Sequence, residues 1–362
     1  MALSSDYARA LGRLGAATLA SLQAFEVAQR QLHPPWIPDL RAALAPHRER
    51  LGGALATWQM LQPPEELTSF HEHFAQGAEQ AHEALERFLD PRAGPPGILS
   101  SWRCHARAQE TLYPLREAMA PLGELFLEPA FRDARAFDPE PPEGVTVGLH
   151  RGGGEGEEGR GGFSLYVPEW YDGKQPWPLV VALHGGSGCG RDFLFTWLRE
   201  ARSRGFLLLA PSSRGPTWSL DAPGIDQAPL LSMVEFVCER WTVDRERVLL
   251  TGLSDGATMT LLVGLAEGAP FTHLAPVSGV LHPANFALGN LGRAADRPVY
   301  LVHGALDWLF PVALAQGARD ALSEAGARLT YREIGDLSHT YPRDENARIL
   351  EWLDPSLAPG VA

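Results

Sequence analysis

Three side chains set far apart in the chain have the types and the order that acyl-transfer chemistry needs: Ser254, Asp307 and His339. Ser254 is the centre of Gly252-Leu253-Ser254-Asp255-Gly256, a pentapeptide that follows the apolar run Arg247-Val248-Leu249-Leu250-Thr251. A neutral serine hydroxyl is a weak nucleophile, so it requires a base within hydrogen-bond reach, and an imidazole suits that task near neutral pH. A carboxylate behind the imidazole fixes its tautomer and stabilises its cationic form. Asp307 closes the segment Tyr300-Leu301-Val302-His303-Gly304-Ala305-Leu306, and His339 closes Glu333-Ile334-Gly335-Asp336-Leu337-Ser338. Asp336 is a rival acid in the same loop as His339. The pentapeptide alone is a weak signal, because a turn serine between glycines is common and Asp307 could simply cap a helix over 312–325. The three elements gain weight by occurring together and in this order.

Specific elements must hold such side chains. The run before Ser254 reads as a buried strand, and Ala257, Leu261, Leu262 and Leu265 give one apolar helical face after it. The result is a strand, a sharp turn and a helix, with the serine pushed into the open and the glycines required by the tightness of the turn. Upstream, Leu179-Val180-Val181-Ala182-Leu183 runs into His184-Gly185-Gly186, where another strand ends. A developing oxyanion needs two preorganised donors. The N–H of Asp255 is one, by the geometry of the turn, and the other comes from Gly185 or Gly186, with His184 supporting the loop. From Pro178 onward the pattern alternates: helix 192–202, strand 206–210, helix 228–241, the strand and helix around Ser254, strands 274–277 and 299–302, helix 312–325, strand 329–334 and helix 342–353. Such alternation implies an α/β fold with a mostly parallel sheet covered on both faces, whose site forms at the C-terminal strand ends. Gly185, Ser254, Asp307 and His339 all fall just past such ends.

These residues resemble the serine carboxylesterases of the α/β-hydrolase superfamily, in the style of phospholipase/carboxylesterase, feruloyl esterase and polyhydroxybutyrate-depolymerase-like enzymes. The resemblance is carried by Leu183-His184-Gly185-Gly186, Val243-Asp244-Arg245-Glu246-Arg247-Val248, the pentapeptide, His303-Gly304 with Asp307 and Pro311, and Ser338-His339. It implies an α/β-hydrolase fold over residues 139–362, hydrolysis of small-molecule carboxylic esters through an acyl-enzyme on Ser254, and no cofactor. It also favours Asp307 over Asp336. Peptidase or thioesterase activity would be variants on the same residues. One position departs from the pattern: Asp255 follows the nucleophile where such enzymes more often carry a neutral side chain, which brings a carboxylate close to the developing negative charge. Trp218, Trp308 and Phe310 are candidate walls of an acyl or alcohol pocket, and 281–297 a candidate small cap.

A chain of 362 residues exceeds the usual size of one core. Residues 1–138 read as an all-α N-terminal bundle. Apolar stripes at steps of three and four run through Tyr7 to Phe25, Leu40 to Trp58 and Leu67 to Phe88, with a weaker one from Leu112 to Phe126. Pro46 should break or kink the second stripe, and proline pairs at 34–35, 63–64 and 95–96 should separate helices. The stretch 138–144 reads as a linker to the catalytic domain, 139–362. The helical domain offers a surface for homo-oligomers, and a non-catalytic protein that uses it to bind a partner is the competing function class.

The glycine-rich stretch 151–162 lacks the Lys-Ser/Thr ending of a phosphate loop and carries acids, so it reads as a hairpin tip. His71, Glu72, His73 and His82 read as a solvated helical face rather than a metal site, since residues two apart point away from each other on a helix. The net charge of −13, from 44 acidic against 31 basic residues, argues against nucleic acid as a partner. Three cysteines at wide spacing read as reduced thiols. Neither an export signal nor a membrane span is evident, so the expectation is a cytoplasmic protein.

Overall fold

The computed structural model describes residues 4–135 and 138–360, which fall into two compact units, Met1–Phe137 and Asp138–Ala362. The first is built from α1 (Ser5–Arg30), α2 (Ile37–Gln59), α3 (Thr68–Leu89), α4 (Gly94–Leu112) and the short α5 (Ala120–Leu125). Ser4 opens α1 by accepting a hydrogen bond from the Tyr7 N–H. The stripes meet in a core of Leu14, Phe25, Leu44, Leu51, Trp58, Phe74 and Phe88, each at most 1% exposed.

Three expectations for this unit are corrected. Pro46 does not interrupt α2, because Leu44 and Leu51 on either side are fully buried and their packing outweighs a cost of about 3 kcal/mol. The pair Pro95-Pro96 does not separate helices but begins α4, where the missing N–H groups would have had no partner within the helix. His71 is buried, stacked on Trp58 and bonded to the Tyr7 hydroxyl, so that face is not uniformly solvated.

The second unit is organised by one eight-stranded sheet: β1 (Gly148–Gly152), β2 (Phe163–Val167), β3 (Trp177–Leu183), β4 (Leu207–Pro211), β5 (Val243–Leu253), β6 (His273–Val277), β7 (Pro298–Gly304) and β8 (Arg328–Ile334). Their spatial order is β1-β2-β4-β3-β5-β6-β7-β8. β1 pairs antiparallel with β2, and β2 antiparallel with β4; β3 through β8 run parallel to one another. The central strands read as unbroken apolar runs because both faces are covered, and Leu179 to Leu183 are wholly buried. The helices between them are α6 (Gly190–Phe193), α7 (Leu198–Arg204), α8 (Gly224–Arg240), α9 (Asp255–Gly264), α10 (Ala284–Ala287) and α11 (Val312–Glu324), and α12 (Asn346–Leu353) follows β8.

The single helix expected over 192–202 is in fact broken between α6 and α7. The carbonyl of Thr196, in the break, accepts a hydrogen bond from the buried Asn346 Nδ2, which rewards opening the helix there. The glycine-rich stretch forms the β1–β2 hairpin tip, closed by a bridge between Glu155 and Arg160. Arg160 carries that tip onto the segment after β4, bonding Ser213 Oγ and the Gly215 carbonyl. Among the described residues no helix is long and apolar enough to cross a membrane.

Candidate active site

β5 delivers its last residue, Leu253, to a turn in which Ser254 takes φ 57° and ψ −118°, a region that costs a residue with a side chain about 1–3 kcal/mol. The surroundings hold it there. The Ser254 N–H donates to the Val277 carbonyl at the end of β6, and its carbonyl accepts from Thr258 N–H within α9. The turn passes so close to β3 that a Cβ on Gly256 would lie 2.4 Å from the His184 carbonyl oxygen and 2.5 Å from that of Leu183. No side chain fits at that position.

The loops after β7 and β8 bring the other two groups to Ser254. His339 Nε2 lies 2.9 Å from Ser254 Oγ, and Nδ1 lies 2.8 Å from Asp307 Oδ2. A neutral ring with its proton on Nδ1 satisfies both contacts, donating to Asp307 and accepting from the serine hydroxyl. The Asp307 side chain is fully buried. Its other oxygen, Oδ1, accepts from the N–H groups of Leu309 (3.0 Å) and Phe310 (2.8 Å). Burial by itself would raise this carboxyl, but the His339 contact and the Phe310 N–H hold it below the ordinary aspartate value. The two loops also lock to each other, since Leu306 N–H donates to the Leu337 carbonyl and Ser338 Oγ to that of Leu306. Asp336, the rival acid, is exposed, and both ring nitrogens of His339 have other partners.

His184, Gly185 and Gly186 follow β3 and lie beside the serine: a Cβ on Gly185 would meet the Ser254 Cβ at 3.5 Å. His184 Nδ1 donates to the Gly185 carbonyl at 2.7 Å, and Gly188 N–H donates to the same oxygen at 3.0 Å. Across a trans peptide the next N–H points the opposite way. The Gly186 N–H is therefore turned out of the loop, a distinction the sequence does not make between the two glycines. His184 Nε2 accepts from Ser213 N–H, and burial holds its imidazole down at about 4, so the ring stays neutral. The segment 213–219 braces this loop through Ser187 N–H to the Pro216 carbonyl, and is itself clamped by Asp226, whose two oxygens accept from Arg214 and Ser219 N–H.

Trp218 is 3% exposed, lies tilted against His184 with ring centroids 4.9 Å apart and donates its Nε1–H to the His184 carbonyl. Trp308, at 57% exposure, and Phe310, whose ring meets that of His339 edge-on at 5.2 Å, stand beside the acid. Two residues given no role in the sequence reading also belong here. His303 Nε2 donates to the Phe310 carbonyl at 2.8 Å and lies 3.5 Å from Asp307 Oδ2. Thr217 donates its hydroxyl to Asp255 Oδ2 at 2.5 Å. His303 carries a visible signal in its position at a strand end, four residues before Asp307. Thr217 carries none, since its partner is 38 residues away.

A doubly covered parallel sheet, with a serine on a strand-to-helix turn and an acid and a histidine just past later strand ends, gives the second unit an α/β-hydrolase fold. Its likeness is to the carboxylesterase branch of that fold: residues 230–357 match the phospholipase/carboxylesterase family model. An acetylxylan esterase of Coprinopsis cinerea is 30% identical over 135 residues, covering 34% of this chain and 35% of that protein, so the chain spans about a third of that relative's length. Similar solved structures include a thermostable esterase, 22% identical over 60% of this chain and 61% of its own with a TM-score of 0.45. The acetyl xylan esterase of Aspergillus awamori is 19% identical over 57% of this chain and 98% of its own, with a TM-score of 0.44.

Proposed function

We propose that the protein is a serine hydrolase that cleaves carboxylic esters of small molecules through an acyl-enzyme on Ser254. The observation that carries this reading is the hydrogen-bonded row from Ser254 Oγ through His339 to the buried Asp307. His339 Nε2 takes the hydroxyl proton as Ser254 Oγ attacks the ester carbonyl, and Asp307 stabilises the imidazolium that forms. The negative charge developing on the carbonyl oxygen is met by the N–H of Gly186 and the N–H of Asp255, the first residue of α9. Collapse of this tetrahedral species breaks the bond to the alcohol oxygen, which leaves with the proton from His339. Water then repeats the sequence on the acyl-enzyme and releases the acid and the free serine. Trp308 and Phe310, beside the acid, are apolar contacts for the substrate.

The test is labelling with a fluorophosphonate, followed by peptide mapping and a panel of p-nitrophenyl esters alongside aminoacyl amides. The expected result is modification at Ser254, ester turnover well above amide turnover, and loss of both labelling and turnover in Ser254→Ala. An unlabelled wild-type protein without esterase activity would favour a non-catalytic binding role instead.

A further inference from the structure

Asp255 places a carboxylate at the rim of the proposed oxyanion hole, and its surroundings fix where that charge sits. It is the first residue of α9, half-buried, with Oδ2 held by the Thr217 hydroxyl. A Cβ on Gly186 would lie 2.9 Å from this same Oδ2 and 3.8 Å from Thr217 Oγ1. The carboxylate thus lies against Gly186, one of the two donors in the proposed oxyanion hole, and the other proposed donor is its own backbone N–H. In a partly water-excluded site, a fixed negative charge this near opposes the growth of negative charge on the substrate oxygen. It also attracts any positive charge that the substrate carries alongside its carbonyl.

We propose that Asp255 is a specificity-determining residue, selecting esters that bear a cationic group, such as a quaternary ammonium, within a few bonds of the scissile carbonyl. The proposal rests on the ester-hydrolase reading and names its substrate class. A competing account treats Asp255 only as a brace, joining the start of α9 to the 213–219 segment through Thr217. Asp255→Asn separates the two, because the amide oxygen can still accept from Thr217 while the charge is gone.

The experiment uses pairs of esters that differ only in charge. On the alcohol side the pair is choline butyrate and 3,3-dimethylbutyl butyrate; on the acyl side, the p-nitrophenyl esters of trimethylammonioacetate and of 3,3-dimethylbutanoate. Comparing wild type with Asp255→Asn cancels the intrinsic reactivity of each ester. The expected result is that the preference in kcat/KM for the cationic member falls by about tenfold on at least one side. A preference that stays within about twofold on both sides, or an equal loss for both members of each pair, would overturn the proposal and leave Asp255 as a brace. Thr217→Val should lower all four rates together. If wild type cleaves none of the four esters and takes no label at Ser254, the ester-hydrolase reading itself fails; turnover with an unchanged charge preference removes only the role given to Asp255.

Discussion

Acidification should loosen the second unit through His184, and the size of the effect follows from the burial of that ring. Its imidazole is held down at about 4, against 6.5 for a free side chain, by burial beneath the loop after β3. The folded value is the depressed one, so as the pH falls it is the unfolded chain that takes the proton first. The native state therefore carries no penalty above about pH 6.5, and loses stability as the pH drops from there toward 4. With a gap of about 2.5 units, each worth about 1.36 kcal/mol, the loss from this one group is about 2 kcal/mol at pH 5 and about 3 kcal/mol at pH 4. His184→Gln removes the titration, and its amide oxygen can replace Nε2 as acceptor for Ser213 N–H. Urea unfolding of wild type and variant at pH 7 and pH 5, followed by tryptophan fluorescence, isolates the term, because every other titrating group is present in both proteins. Wild type should lose about 2 kcal/mol more than the variant between the two pH values. Parallel losses would refute the reasoning, and would mean that the ring can be protonated in place or that water reaches it.

Asp307→Asn should lower kcat/KM by about three to four powers of ten, whereas Asp336→Asn, at an exposed site, should change it by less than about threefold. The reverse ranking would identify the wrong carboxylate. Gly256→Ala should destabilise the protein by about 1–3 kcal/mol and cut turnover, because its Cβ would meet two backbone oxygens that cannot move independently; a thermal midpoint equal to that of wild type would show that the turn yields. A chain beginning at Pro139 should still turn over a small ester, since Ser254, Asp307, His339 and the partners described for them all lie in the second unit; a soluble but inactive product would give the helices a part in the chemistry.

How far the sequence can be read depends on the distance over which each decision is made. The strands of the second unit are legible because a strand covered on both faces must be apolar without interruption, as in Leu179 to Leu183 and Val248 to Leu250. In a parallel sheet every strand end that matters lies along the same edge, so residues just past those runs are brought to one place by topology alone. This is why Ser254, Asp307 and His339 can be named together although 85 residues separate the first from the last. Proline misleads where tertiary burial or position within the helix decides the outcome. Pro46 sits in a helix pinned by Leu44 and Leu51, and Pro95 and Pro96 occupy a first turn that has no need of their N–H groups. The break before α7 depends on Asn346, 150 residues from the carbonyl it satisfies, and no local pattern encodes that.

The same limit explains why the loop after β3 is legible in kind but not in detail. Two glycines after a buried strand announce a close backbone approach, and either could aim an N–H at the serine. His184 Nδ1 and Gly188 N–H hold the Gly185 carbonyl on one side of the peptide, which turns the Gly186 N–H to the other. That arrangement requires a neutral His184, and the ring is kept neutral by burial under Trp218 and the 213–219 segment, to which it also offers an acceptor. Trp218 reads as a substrate contact in the sequence because large aromatic residues near a site often are; its indole N–H instead closes onto the His184 carbonyl. An aromatic that holds the histidine and a histidine that holds the glycine are steps in one chain of support, and each step joins segments remote in sequence. The direction of a single N–H at Gly186 is thus a tertiary property, set by the packing of the loop after β4 as much as by the glycines themselves.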